Sequence, residues 1–225
     1  MNTVKEIESS SKIKSKLAIN LKKISSLKTL KYLQEHSLKT VNDLKKIMPV
    51  CYTEDHPEGF HKHSKSYDLD FPVQKVWNTY LTIPPAESWK GEQIKFSFSF
   101  DKDTEDIAYI EDKYQGLKSN QLIFIEIKLL WGLIKLAVTH FVKKVDETKK
   151  TIKLCYVEGG KSAGSQIIQF IELANNKTRV IHDTHYKSDS DFRDKRLYPI
   201  LHEQIIDQFH KNVFQYMAYI MAPNS

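Results

Sequence analysis

The chain has little of what marks secreted, membrane-spanning or hydrolytic domains. Two cysteines among 225 residues, Cys51 and Cys155, supply neither a disulfide framework nor a metal-ligand pair of recognisable spacing, so a reducing cytoplasm is the expected compartment. No secretory signal is read at the N-terminus, which carries Lys and Ser but no continuous apolar core. The most apolar segment, Leu122–Val142, is broken by Glu126, Lys128, Lys135 and His140, which argues against a membrane span. There is no nucleophile elbow, no phosphate-binding glycine loop and no recognisable pair of catalytic carboxylates. The glycine-bearing stretch Gly159–Gly164 has strand patterns on both sides and no helix directly after it, so it reads as a hairpin.

Charge is unevenly placed. Residues 1–48 hold eleven Lys against Glu6, Glu8, Glu35 and Asp43, a balance of +7. The net +6 therefore leaves −1 for the other 177 residues, and the excess positive charge is confined to an N-terminal appendage. Ile13, Leu17, Leu21 and Ile24, continuing through Leu27, Leu30 and Leu33, mark one amphipathic helix there. Leu38, Val41, Leu44 and Ile47 mark a second, with Pro49 as its stop. This appendage (1–48) has three readings: docking on the main domain or on a second copy, contact with an anionic membrane surface, or contact with nucleic acid. Nucleic acid is the weakest, because residues 1–48 contain no Arg and only Tyr32 as an aromatic. A linker loop follows over 49–63, and the main domain runs over 64–225.

The main domain is α+β. Tyr67, Leu69 and Phe71 alternate as in a strand, and Val73, Val76, Trp77 and Tyr80 follow at helical spacing after Pro72 as first helical residue. Pro84-Pro85 end that helix. Phe96, Phe98 and Phe100 fall on one strand face, with Ser97 and Ser99 on the other. Leu122–Leu130 is the next strand, and four more follow over Leu133–Val142, Thr151–Val157, Ser165–Leu173 and Thr178–Tyr186. Leu197, Leu201, Ile205, Phe209, Val213, Tyr216 and Ile220 then recur at helical spacing. Asp189, Ser190 or Asp191 can cap that last helix.

Three phrases carry a family resemblance. Phe71-Pro72-Val73-Gln74-Lys75-Val76-Trp77 is similar to a strand-into-helix opening, Tyr156-Val157-Glu158-Gly159-Gly160 with Gly164-Ser165-Gln166 to a late hairpin, and Thr178-Arg179-Val180 to a last strand. In this order they resemble the START/polyketide-cyclase superfamily, the helix-grip fold of birch-pollen-allergen-like and steroidogenic-lipid-transfer-like proteins, over about residues 64–221. The resemblance implies a curved antiparallel sheet of about seven strands gripping the C-terminal helix, with a cavity between them. It also implies a hydrophobic ligand such as a lipid, a sterol or a polyketide-like compound.

The candidate site follows from polar residues on apolar strand faces. His140 shares a face with Ile134, Leu136, Val138 and Val142, and Glu158 shares one with Ile152, Leu154 and Tyr156. His182, Thr184 and Tyr186 share one with Val180. His140, Tyr156, His182, Thr184 and Tyr186, with Trp131, Phe170 and Phe209, are the expected pocket residues; Phe96, Phe98 and Phe141 are further candidate wall aromatics. The same polar groups can instead satisfy one another in a packed core. A rival reading is a cyclase, dehydratase or hydrolase using His140, His182 or His202 as acid–base. Glu203 beside His202 reads as solvated helix surface, since sequence neighbours do not face each other on a helix. No cofactor is implied, and Cys51, His56, His61 and His63 match no standard metal site.

Overall fold

Two capped helices lie near the start of the described residues. Ser26 accepts a hydrogen bond from the Thr29 amide at 3.0 Å and starts α1 (Leu27–Glu35), and Thr40 with Asp43 forms a capping box at the start of α2 (Val41–Lys46). The computed structural model describes residues 18–190 and 193–221, apart from the side chains of Trp131 and Arg193. Ile13, Leu17 and the candidate cap Asp191 lie outside the described residues. Among the described residues, the first expected helix is α1 from Leu27, with a short 3-10 turn at Leu21–Lys23 before it.

The chain continues through β1 (Pro49–Val50) and β2 (His61–Leu69) to α3 (Val73–Thr82) and α4 (Pro85–Ser88). Pro72 caps α3 rather than occupying its first turn, whereas Pro85 does sit in the first turn of α4. Then come β3 (Ile94–Asp101), β4 (Ile107–Tyr109), β5 (Gln121–Leu129), β6 (Ile134–Asp146), β7 (Thr151–Val157), β8 (Ala163–Leu173) and β9 (Lys177–Lys187). A π-helical turn, Arg193–Leu197, leads into α5 (Tyr198–Met221). The strands form one curved antiparallel sheet in the order β2-β9-β8-β7-β6-β5-β3-β4, with β1 on the end of β7. Among the described residues the sheet has nine strands, and the two short ones, β1 and β4, are those whose alternation is too brief to mark in the sequence.

The inner face of the sheet grips α5, as the apolar spacing requires. Ile205, Phe209, Val213 and Met217 of α5 share a core with Ile123, Ile125, Val142, Ile152 and Leu154 of the sheet and with Trp77 and Tyr80 of α3. Strand β2 clasps α5 from its edge, where Lys65 meets Glu203 at 2.5 Å and Asp207 at 2.7 Å.

The outer face carries a second core. Phe98, Phe100, Leu122, Phe124, Phe141 and Val157 point outward and are covered by Ile24, Leu33, Val41, Leu44 and Ile47. Buried polar pins fix the cover: Ser26 Oγ donates to Glu126 at 2.7 Å, and the hydroxyls of Thr29 and Ser97 lie 2.8 Å apart. Lys102 Nζ donates to the carbonyls of Lys45 and Ile47. Ile24, Leu33, Val41, Leu44 and Ile47 of the apolar stripes are thus already engaged by this chain's own sheet, while Leu21 and Leu27 stay exposed. A dimer or a membrane contact through the same side chains would first have to peel them away.

Two expectations need correction. The three phenylalanines of β3 do not share a face, because a bulge between Phe96 and Phe98 sends Phe96 inward and Phe98 and Phe100 outward. Cys51 and Cys155, expected to be unpaired, form a disulfide with Cα atoms 4.9 Å apart, brought together where β1 pairs with β7. A separation of 104 residues gave no hint of it, and the bond removes the ground on which the cytoplasmic expectation stood. It also withdraws the Cys51 thiolate from the metal set considered above.

One backbone position admits glycine alone. Gly164 has φ +132°, and a Cβ there would lie 1.9 Å from the carbonyl oxygen of His185 on the paired strand β9. Gly164→Ala should therefore cost about 3 kcal/mol. Thermal denaturation should show a fall of about 6 °C or more; an unchanged midpoint would show that β8 and β9 separate there at no cost.

Candidate functional site

A cavity of about 360 Å³ lies between the sheet and α5. It exists because β6 pairs with β7 only from His140 onward, so Ile134–Thr139 has a strand neighbour on the β5 side alone. The gap is bounded by the β7–β8 turn at Gly160, Lys161 and Ser162 and by the start of α5 at Leu197 and Tyr198. Ile127, Leu136 and Val138 form the apolar sheet wall, and Leu201, Ile205 and Ile206 the helix wall. Tyr32 of α1 reaches the rim, so the N-terminal cover also borders the opening.

The inner end is polar. His140, Tyr156, Gln166, Tyr198 and His202 line it, placed by strand alternation on β6, β7 and β8 and by the first turns of α5. Behind them runs a continuous buried hydrogen-bond chain. The Tyr80 hydroxyl lies 2.5 Å from His210 Nδ1, His210 Nε2 lies 2.8 Å from His182 Nδ1, and His182 Nε2 lies 3.1 Å from Gln166 Oε1. Gln166 Nε2 donates to the Tyr156 hydroxyl at 3.2 Å and lies 3.2 Å from His140 Nε2. The Tyr156 and Tyr198 hydroxyls are hydrogen bonded to each other. Three nitrogens of the wall are left over: His140 Nδ1 and both ring nitrogens of His202 have no hydrogen-bond partner among the described residues. His202 is instead held by its ring faces, stacked on Tyr198 at 4.9 Å and edge-on to His63 and His182.

Burial makes this end electrically neutral. Removal from water pushes His140 down to about 4 and His182 down to about 3, and holds His202 and His210 well below the usual imidazole range. The same desolvation raises the phenols of Tyr80, Tyr156 and Tyr198. No carboxylate hydrogen bonds to any of these groups among the described residues. Glu203 turns away to Lys65 and lies 3.8 Å from His63 on the β2 side. The histidines and tyrosines of this inner end are therefore uncharged at neutral pH.

The sequence-predicted residues divide into three sets. His140, Tyr156 and His202 are in the cavity wall, and His182 stands one hydrogen bond behind it. Tyr186 supports from beneath, its ring stacked 3.6 Å from that of Tyr198, and Thr184 is buried with its hydroxyl unpartnered and outside the lining. Phe170 packs edge-on against Trp77 and Tyr80 under α3, and Phe209 lies tilted against Trp89, ring centroids 4.4 Å apart, beside a separate void of about 30 Å³. Phe98 and Phe141 belong to the outer core, and the side chain of Trp131 lies outside the described residues. Glu158 lies beyond the end of β7 and accepts from the Met48 amide, away from the inner face. Gln166, the branch point of the chain, and Tyr198 were not singled out; Gln166 has the same strand parity as Ile168 and Phe170, which was its visible signal.

No protein-family model matches the chain, and no curated protein matches it in sequence. Solved structures do match in shape. A norcoclaurine synthase from Thalictrum flavum superposes with a TM-score of 0.53 at 10% identity, covering 72% of this chain and 97% of that one. A START superfamily protein from Mycobacterium smegmatis gives 0.50 at 12% identity, covering 72% and 99%. Ginseng major latex-like protein 151 from Panax ginseng gives 0.50 at 9% identity, covering 70% and 97%. The likeness is one of fold: this chain has the helix-grip fold that START and birch-pollen-allergen-like proteins share.

Proposed function

We propose that the protein binds an apolar small molecule carrying an uncharged polar group, of the lipid, sterol or polyketide-like kind, in the cavity between sheet and α5. The observation that carries this reading is the cavity itself. Its volume of about 360 Å³ falls in the range of ligand pockets, its walls are aliphatic, and its inner end presents neutral hydrogen-bonding groups with nitrogens left unpartnered. An apolar body gains from the walls, and a single polar atom satisfies a group that burial otherwise penalises.

The acid–base reading finds less support. A histidine held near 4 or 3 is neutral at pH 7, so it lacks the imidazolium proton that general-acid catalysis uses, and among the described residues no carboxylate hydrogen bonds to it to orient it as a base. One of the structural neighbours is a synthase, and that name is a fact about the neighbour.

Titration with N-phenyl-1-naphthylamine, a neutral apolar fluorophore, tests the binding site. Leu136 lines the cavity and is half-buried, so Leu136→Trp fills the space without disturbing the core. Wild-type protein should enhance the fluorescence saturably, and Leu136→Trp should weaken binding by about tenfold or more. Equal binding by both proteins would place the probe elsewhere and remove the support.

A further inference from the structure

We infer that the buried hydrogen-bond chain has a fixed direction and makes His140 a donor through Nδ1, so that the cavity selects ligands whose polar group is a hydrogen-bond acceptor, such as a ketone, ester or lactone carbonyl. The inference rests on the binding reading above and sharpens it. The direction comes from Tyr80. This residue is buried, and its hydroxyl has His210 Nδ1, at 2.5 Å, as its one hydrogen-bond partner among the described residues. A phenol with a single partner is best satisfied by donating, because the opposite arrangement strands its own proton in the core. His210 Nδ1 is then the acceptor, and a neutral ring must carry its proton on Nε2. That proton points at His182 Nδ1, 2.8 Å away, so His182 in turn carries its proton on Nε2 and donates to Gln166 Oε1 at 3.1 Å. The amide group of Gln166 is thereby oriented with its NH2 toward the Tyr156 hydroxyl and His140 Nε2, each at 3.2 Å.

His140 receives that hydrogen bond on Nε2 and must hold its proton on Nδ1. Among the described residues no acceptor stands at Nδ1, a buried atom of a residue that lines the cavity, so an acceptor for it has to come from the cavity side. Every other member of the chain can reverse; a histidine, an amide and a phenol each donate or accept. Tyr80 cannot reverse without leaving a buried proton unpaired, and it stands outside the cavity lining. It is therefore a positioning residue: it sets what the wall offers without touching the ligand. His202 has both nitrogens unpartnered among the described residues and stands outside this chain, so it is free to take either tautomer and can meet a donor or an acceptor alike.

Three tricyclic probes of one shape separate the possibilities: fluorene has no polar group, 9-fluorenone only an acceptor, and carbazole only an N–H donor. 9-Fluorenone, to which both His140 and His202 can donate, should bind about tenfold more tightly than fluorene and more tightly than carbazole, whose N–H only His202 can accept. In Tyr80→Phe, with folding checked by circular dichroism, the anchor is gone and the preference of 9-fluorenone over carbazole should shrink toward parity. Nitrogen-15 NMR of histidine-labelled wild-type protein reads the direction without any ligand. His210 and His182 should appear as Nε2–H tautomers and His140 as Nδ1–H. The opposite set of tautomers, or equal binding of 9-fluorenone and carbazole to wild type, would overturn the inference while leaving the pocket intact. If none of the three probes binds, the binding reading fails, and the tautomers still decide the direction of the chain.

Discussion

Lowering the pH from 7 to 5 should remove several kcal/mol from the stability of the fold. His140 and His182 are held down to about 4 and about 3, and His202 and His210 well below their ordinary value, by burial. In the unfolded chain the same groups titrate near 6.5. Between these values the unfolded state binds protons that the folded state refuses, so stability rises with pH through that window. The full stability is present above 6.5 and is lost as pH falls toward 4. Each histidine contributes a slope of about 1.4 kcal/mol per pH unit, and the four together at most roughly 5 kcal/mol per unit. Carboxylates held below their usual range, such as Asp43 and Asp68, lose their contribution only at lower pH, so the window near pH 5 belongs to imidazole. Urea denaturation at pH 7.5 and 5.0 checks this: the midpoint should fall steeply. His202→Phe should make the fall shallower, and a midpoint that does not move between these pH values would show that the histidines are hydrated or charged in the folded protein.

Deleting residues 1–47 should abolish the soluble fold. Ile24, Leu33, Val41, Leu44 and Ile47 are all buried against the outer face of the sheet, and each contributes roughly 1.5–3 kcal/mol of apolar burial. Their sum is of the order of a whole domain's stability, about 5–15 kcal/mol. The truncated chain would also display Phe98, Phe100, Phe124 and Phe141 as one apolar patch, an aggregation hazard. Soluble yield and circular dichroism of the truncated chain decide between this and a detachable module. A monomer with the wild-type melting temperature would show that the segment is dispensable for folding and free for another partner.

The inner half of the molecule was legible in the sequence. Val180, His182 and Tyr186 keep strict alternation, and so do His140 and Val138, so period two assigned their face correctly. Leu201, Ile205, Phe209 and Val213 likewise announced the gripped helix. The outer half was not legible, for a physical reason. A strand buried on both faces loses its alternation, and Ile123, Phe124 and Ile125 in succession show no preferred side. In β3 the bulge shifts parity in mid-strand, which a regular pattern cannot reveal. The amphipathic stripes of residues 21–47 stated that a partner was needed, but which surface supplied it depended on the sheet's second apolar face. In the site, histidines draw the eye by residue type, whereas Gln166 and Tyr80 matter through whom they touch, and only the three-dimensional contacts show that.

Native mass spectrometry of the protein purified from its own host tests most directly whether the cavity between sheet and helix holds an apolar, uncharged ligand. The wild-type protein should carry an adduct that is released by organic solvent and is absent from Leu136→Trp prepared in the same way. An adduct-free wild-type protein that also fails to bind N-phenyl-1-naphthylamine would contradict it.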